Sequence, residues 1–300
     1  MDPLILTEKP QLSDATLVVG MAGWADAGGV SSVGVRYLRR KLGAHRFGEL
    51  DPEEFYDFSQ LRPQVVLEEG HQRRVVWPIN RFYYWQGDPG PHLIFFSGVE
   101  PHLKWRTYCD AVIGLAQECG AVRFMAVGGT YDSIPHTVTP QVSGSATDPD
   151  TRALLSEMGV GFSSYQGPTS IHSALMEACR RRDMATASLW GHAPHYIQAV
   201  PNPRVCHAVL GRLARVLGVD LALDDLLEAA TTLDRQVERV LTSNDELRTY
   251  VHGLEEAYGR GAPAEKPAAP EDSAAIVREL EEFLRRQRGS GGTPPSPPIT

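Results

Sequence analysis

ATLVVGMAGWADAGG, residues 15–29, decides the fold. Its first seven residues form a continuous apolar run of strand length, without the polar alternation of a strand that has one face in water. The Gly-rich turn that follows leads into a helical pattern from about 29 to 42. Strand, tight turn and helix make the repeating unit of a parallel sheet covered by helices.

The pattern recurs along the chain. HLIFFSG (92–98), AVRFMAVGG (121–129) and ATASLWG (185–191) are further buried strands by the same criteria. Helices at about 103–119, 149–158, 169–182 and 203–217 fill the intervals. The expected architecture is a three-layer α/β/α sandwich with a mostly parallel sheet, plus a helical C-terminal part. VVLEEG (65–70), RRVVWPI (73–79) and RFYYWQ (81–86) read as consecutive strands with tight turns, an antiparallel edge or flap.

Beyond the core, Leu226, Ala230, Leu233, Val237, Val240, Leu247, Val251 and Leu254 advance in steps of four and three, with Asn244 in the one polar slot. Such a seam fits a continuous coiled-coil arm in which Asn244 sets register. It also fits two helices, because Ser243 followed by Glu246 is a capping box that restarts a helix. The restart is the preferred expectation, and the stripe then packs on its own domain or on a second copy. The expected layout is a core at 1–220, a helical appendage at 221–258, a Gly, Ala and Pro linker at 259–271, an amphipathic helix at 272–288 and a disordered tail at 289–300.

Composition bounds the function. The 300 residues are 42% hydrophobic and 22% charged, and their net charge of -8 disfavours a surface made for nucleic acid or anionic membrane. No apolar run approaches the roughly 20 residues that span a bilayer. The N-terminus MDPLILTEKPQL lacks the basic and long apolar regions of a signal peptide, so a cytoplasmic location is expected. Cys109, Cys119, Cys179 and Cys206 fall singly, without metal-ligand spacing, and read as reduced core thiols.

Ligands of parallel sheets bind beyond the carboxyl ends of the strands. The segments there are GWADAGG (23–29), SGVEPHLKW (97–105), GGTYDSIPHT (128–137), QGPTSIH (166–172) and WGHAPHY (190–196). Their convergence would form a polar and aromatic cleft in which a ligand meets Trp24, Asp26, Gly28, Gly29, Trp105 and Thr169. Glu100 with His102, and Asp132 with His136, are acid/base pairs if they come within hydrogen-bond reach. Against a phosphate cradle at GWADAGG stands Asp26, which would repel an anion; the glycines also suit a tight turn and Asp26 a helix cap. His192 and His195 form HxxH around a Pro, with no acidic third ligand set by spacing, so no metal or cofactor is expected. There is no GxSxG nucleophile elbow.

Five segments, GWADAGGVSS (23–32), GVEPHLKW (98–105), GTYDSIPHT (129–137), YQGPTSIHSAL (165–175) and SLWGHAPHYI (188–197), resemble in order and spacing the bacterial branch of the proteasome assembly chaperone 2 family. The resemblance spans about residues 14–257. It implies an α/β/α core similar to the phosphorylase/hydrolase-like fold, a tendency to form homo-oligomers such as a trimer, and an assembly role exerted on a protein partner whose identity it leaves open. That fold also resembles nucleoside phosphorylases, which implies a small-molecule enzyme or sensor as the alternative, with Glu100, Asp132, His136 and His195 as catalytic candidates.

Overall fold

In the computed structural model, residues 3–68, 72–198 and 201–260 are described. The strands are β1 (Leu4–Leu6), β2 (Ala15–Ala22), β3 (His45–Leu50), β4 (Gln64–Leu67), β5 (Arg73–Val76), β6 (Arg81–Gln86), β7 (His92–Val99), β8 (Ala121–Asp132), β9 (Val142–Ala146), β10 (Gly161–Phe162) and β11 (Ala185–Pro194). The helices are α1 (Ser32–Lys41), α2 (Trp105–Glu118), α3 (Pro149–Glu157), α4 (Ile171–Arg180), α5 (Pro203–Leu217), α6 (Asp224–Ser243) and α7 (Asp245–Gly259).

Nine strands form one sheet in the order β1-β3-β6-β7-β2-β8-β11-β9-β10. At its centre β7, β2, β8 and β11 are mutually parallel. Antiparallel strands extend both sides. The apolar runs of the central strands are explained by burial on both faces. On β2, Leu17, Val19 and Met21 join Phe96, Phe124, Tyr108 and Val112 on the side of α2 and α4. Val18 joins Phe95, Val127, Leu38 and Val209 on the side of α1 and α5. A fully buried Phe or Leu contributes about 2 kcal/mol, and each layer holds several. The three-layer α/β/α expectation is met.

Local chemistry sets the helix ends. Asp148 accepts the amide of Thr151 at 2.7 Å at the start of α3, and Asn202 that of Val205 at 3.2 Å at the start of α5, each followed by Pro at the first helical position. Gly218, at φ 66°, ends α5 in the left-handed conformation.

Three expectations are corrected. Of the three consecutive strands foreseen at 65–86, β4 and β5 pair with each other as a separate two-stranded sheet, whereas β6 joins the main sheet against β7. The heptad seam does restart, but Asn244 caps α7 by accepting the amide of Leu247 at 2.9 Å; the Ser243 hydroxyl instead donates back to the Val240 carbonyl. Finally, β8 and β11 run three residues past the stretches read as strands, to Asp132 and Pro194, and these two residues are register partners. Residues placed on loops therefore stand on paired strands.

Leu233, Val237, Val240, Leu241, Leu247, Val251 and Leu254 of α6 and α7 bury against Tyr196 and Ile197. The stripe thus packs on its own chain, just beyond the end of β11. Of the linker expected at 259–271, Gly259 instead closes α7 and Arg260 caps it; the rest of it, the helix at 272–288 and the tail at 289–300 lie outside the described residues.

Candidate functional site

The helical layer on the α4 side stops short of one sheet edge. α3 covers β9 from the opposite face, while on the α4 side the face formed by β8, β11 and β9 opens into a cleft of about 840 Å³. The alternation of β11 decides what faces it: Ala187 and Leu189 point into the core, so Thr186, Ser188, Trp190 and His192 line the cleft. Ser143 pairs with Trp190 and Ser145 with Ser188, which puts both serines on the open side. The hydroxyls of Ser145 and Ser188 meet at 2.9 Å. Trp24, Tyr131 and Tyr165 rim the opening, all exposed. Gly128 lets the Trp190 ring lie flat against β8, since a Cβ there would come within 2.7 Å of the ring.

Within this cleft Asp132, His192 and Ser143 form one chain of hydrogen bonds. His192 Nδ1 donates to Asp132 Oδ2 at 2.9 Å, and His192 Nε2 accepts from the Ser143 hydroxyl at 2.8 Å. The amide of Ser133 donates to the other oxygen of Asp132 at 2.7 Å. The bond from His192 holds the Asp132 carboxyl below the usual carboxylate range, against the opposing effect of burial. His172 lines the cleft too. It is 1% exposed, neither ring nitrogen has a hydrogen-bond partner, and its ring stands edge-on to Trp190 at 5.8 Å. Burial drives its pKa down to about 4, so the ring is neutral at physiological pH.

Of the residues expected to converge, Trp24, Asp132 and Thr169 reach the cleft, together with His172 and His192. The others are held elsewhere. Glu100 accepts the amides of Trp24 at 3.1 Å and Ile171 at 2.7 Å. His102 Nδ1 accepts the amide of Asp57 at 3.2 Å, so the Glu100 and His102 side chains turn to different partners. Trp105 packs on the α2 side of the core and donates its indole N–H to the Pro101 carbonyl at 2.7 Å.

The turn after β2 is built as a turn. Gly28 and Gly29 adopt left-handed φ of 62° and 66°, which Gly tolerates at no steric cost. The Asp26 carboxylate receives the amide and hydroxyl of Ser32, at 2.8 and 2.5 Å, at the start of α1. Burial pushes the Asp26 carboxyl up in spite of those bonds. His136 is buried between Tyr196, at 2.7 Å, and Glu238, at 3.3 Å, and so does not pair with Asp132. His195 Nδ1 donates to the Asp132 carbonyl at 3.1 Å, and its Nε2 accepts from the Tyr250 hydroxyl at 2.9 Å, tying α7 to the sheet. Among the described residues no group of three or more His, Cys, Asp and Glu side chains could hold a metal ion. All four cysteines are buried and unpaired, their thiols pushed up by burial to about 11 for Cys119 and about 12 for the other three. No helix among the described residues is long and apolar enough to cross a membrane.

Sequence reasoning missed Ser143. Its strand, VSGSA, is small and polar with a central Gly and lacks a strand signature. His192 was expected at the cleft and as half of HxxH but not as the partner of Asp132, because the distance in sequence between them hides their contact.

Fold and site together define a three-layer α/β/α protein with an open cleft along the face of β8, β11 and β9, in which polar Ser, His and Asp side chains stand beside an apolar wall. The PAC2 family model matches residues 20–241, and the chain belongs to the PAC2 family. A PAC2 family protein from Streptomyces avermitilis is 34% identical and superposes with a TM-score of 0.71 over 79% of this chain and 100% of that one. A Mycobacterium tuberculosis protein described as a proteasome-assembly chaperone homologue is 29% identical, with a TM-score of 0.71 over 79% of this chain and 99% of its own. A Pyrococcus furiosus protein described as an archaeal proteasome activator shares the fold alone, at 20% identity and a TM-score of 0.65, over 80% of this chain and 99% of that chain. Comparison with functionally curated proteins finds no match.

Proposed function

We propose that this chain is an assembly-chaperone-like protein that acts in the cytoplasm through protein contacts, as a homo-oligomer, with a proteasome-type subunit as its client. The observation that carries the reading is the β4–β5 hairpin. Val65 and Val75 are register partners, and Leu67 lies two residues further along the same face. These three side chains are 61%, 47% and 69% exposed. A two-stranded ribbon is marginal by itself, and a contiguous exposed apolar face marks a protein interface. A second copy of the chain covers this face, and the trimer implied by the family resemblance is the assembly expected. The description of the Mycobacterium tuberculosis relative supports the client class.

Light scattering coupled to size exclusion tests the oligomer: the wild type elutes as an oligomer, and the double variant Val65→Lys, Leu67→Lys as a folded monomer. A monomeric wild type at micromolar concentration sinks the oligomeric reading. Binding to purified proteasome α-subunits, measured by interferometry, tests the client class; no binding by the oligomer rejects it.

A further inference from the structure

We propose that Ser143, His192 and Asp132 form a nucleophile, base and orienting acid that cleave carboxylic esters with an apolar or aromatic acyl group. The arrangement has the defining contacts of such a set: nucleophile to base at 2.8 Å and base to carboxylate at 2.9 Å. All three side chains face the same open cleft. Each stands on a different element, β9, β11 and the end of β8, and backbone pairing holds them. Ser143 is paired to Trp190 across β9 and β11, and the His192 amide donates to the Gln141 carbonyl at 3.1 Å. Rigid placement on strands is what proton transfer in the transition state requires.

A second observation points to a ligand. His172 is buried with both ring nitrogens unpartnered, and the buried hydroxyl of Ser170 on the same wall also lacks a partner. Leaving such groups unsatisfied costs about 1–3 kcal/mol each, an unmet hydrogen-bonding demand in the wall of the cleft. The apolar wall, made by Trp24, Tyr165, Met176 and Trp190, suits the acyl group.

The reaction balances with water as the only co-reactant. Ser143 Oγ bonds to the ester carbonyl carbon as its proton passes to His192 Nε2. The tetrahedral species collapses, the carbon–oxygen bond to the alcohol breaks, and the departing oxygen takes the proton from His192. Water then attacks the acyl-serine and gives a proton to His192. The carboxylic acid leaves, and the proton returns to Ser143. Asp132 acts as a positioning residue that keeps the Nδ1 proton of His192 in place and stabilises the imidazolium that forms.

The test uses the full chain, an alkyl fluorophosphonate as covalent probe and p-nitrophenyl butyrate as substrate. One phosphonyl adduct, mapped by peptide mass spectrometry to Ser143, and ester hydrolysis above the buffer rate are the expected results. Ser143→Ala abolishes both, and His192→Gln slows labelling by about 100-fold or more, the scale of one lost general base. Asp132→Asn lowers kcat and leaves KM within about twofold, as expected for a residue acting on the base and not on binding. Circular dichroism confirms that each variant is folded. If Ser143→Ala does not fold, adduct mapping on the wild type and the His192→Gln rate decide alone. Absence of an adduct on folded wild type, an adduct at another residue, or hydrolysis that survives Ser143→Ala overturns the inference.

Discussion

Glu100, one residue beyond β7, accepts the amide of Ile171 at 2.7 Å and so holds the first turn of α4 to the sheet edge, while its other oxygen takes the amide of Trp24 at 3.1 Å. One carboxylate thus satisfies amides on two segments, the turn after β2 and the start of α4, which border the cleft. Charge-assisted bonds of this kind are worth about 1.5–3 kcal/mol. Glu100→Ala is expected to destabilise the protein by about 2–3 kcal/mol in urea unfolding, and Glu100→Gln, which keeps one acceptor, by about half as much. An unchanged midpoint in both variants would remove Glu100 from this role.

Acid should weaken the fold through His172. Its folded pKa of about 4 lies below the value of 6.5 for an unperturbed ring, because burial penalises the charged form. The unfolded chain therefore binds the proton first, and stability falls as pH drops below 6.5, with the loss complete below about 4. The difference amounts to about 3 kcal/mol. His172→Phe, which keeps an aromatic ring beside Trp190, should flatten the stability profile between pH 7 and 4 by that amount. Parallel profiles for the two proteins would contradict the assignment.

Ser31 is fully buried and joins two strands: its hydroxyl accepts the Met21 amide at 2.8 Å and donates to the Val127 carbonyl at 2.5 Å. It fills the gap where β2 and β8 stop pairing after Gly20 and Val127. Ser31→Ala strands an amide and a carbonyl and should cost about 1–3 kcal/mol. Hydrogen exchange should quicken at Met21 before any change in the outer strands.

Asn244 is the side chain that separates α6 from α7. Asn244→Ala should cost about 1 kcal/mol in thermal or chemical unfolding, the usual loss for an N-cap. Ser243→Ala, at the other candidate cap, should change stability by less than half of that. The reverse order would restore Ser243 as the cap.

The parallel centre was legible because its strands are buried on two faces and so carry unbroken apolar runs, as ATLVVGM and HLIFFSG do. The outer strands were not. β1, β3, β9 and β10 are short or half-exposed, and VSGSA and HRFGEL carry no pattern that separates them from loops. The positions of Trp24, Asp132 and Thr169 at one cleft followed from the rule that ligands gather at carboxyl strand ends. Nothing in the sequence could send Glu100 to two backbone amides or His136 to Tyr196, because each partner lies on another element.

The sequence alone determined the α/β/α class, the strand–turn–helix unit at 15–42 and the helical restart near 244, since burial period, turn glycines and caps act within a few residues of one another. Tertiary structure alone decided the Ser143–His192–Asp132 chain and the cleft that holds it. Those contacts depend on β9 pairing antiparallel to β11 and β8 parallel to it, and on a helical layer that leaves one face open. Strand order and register are properties of the whole sheet and are not encoded in any single segment of it.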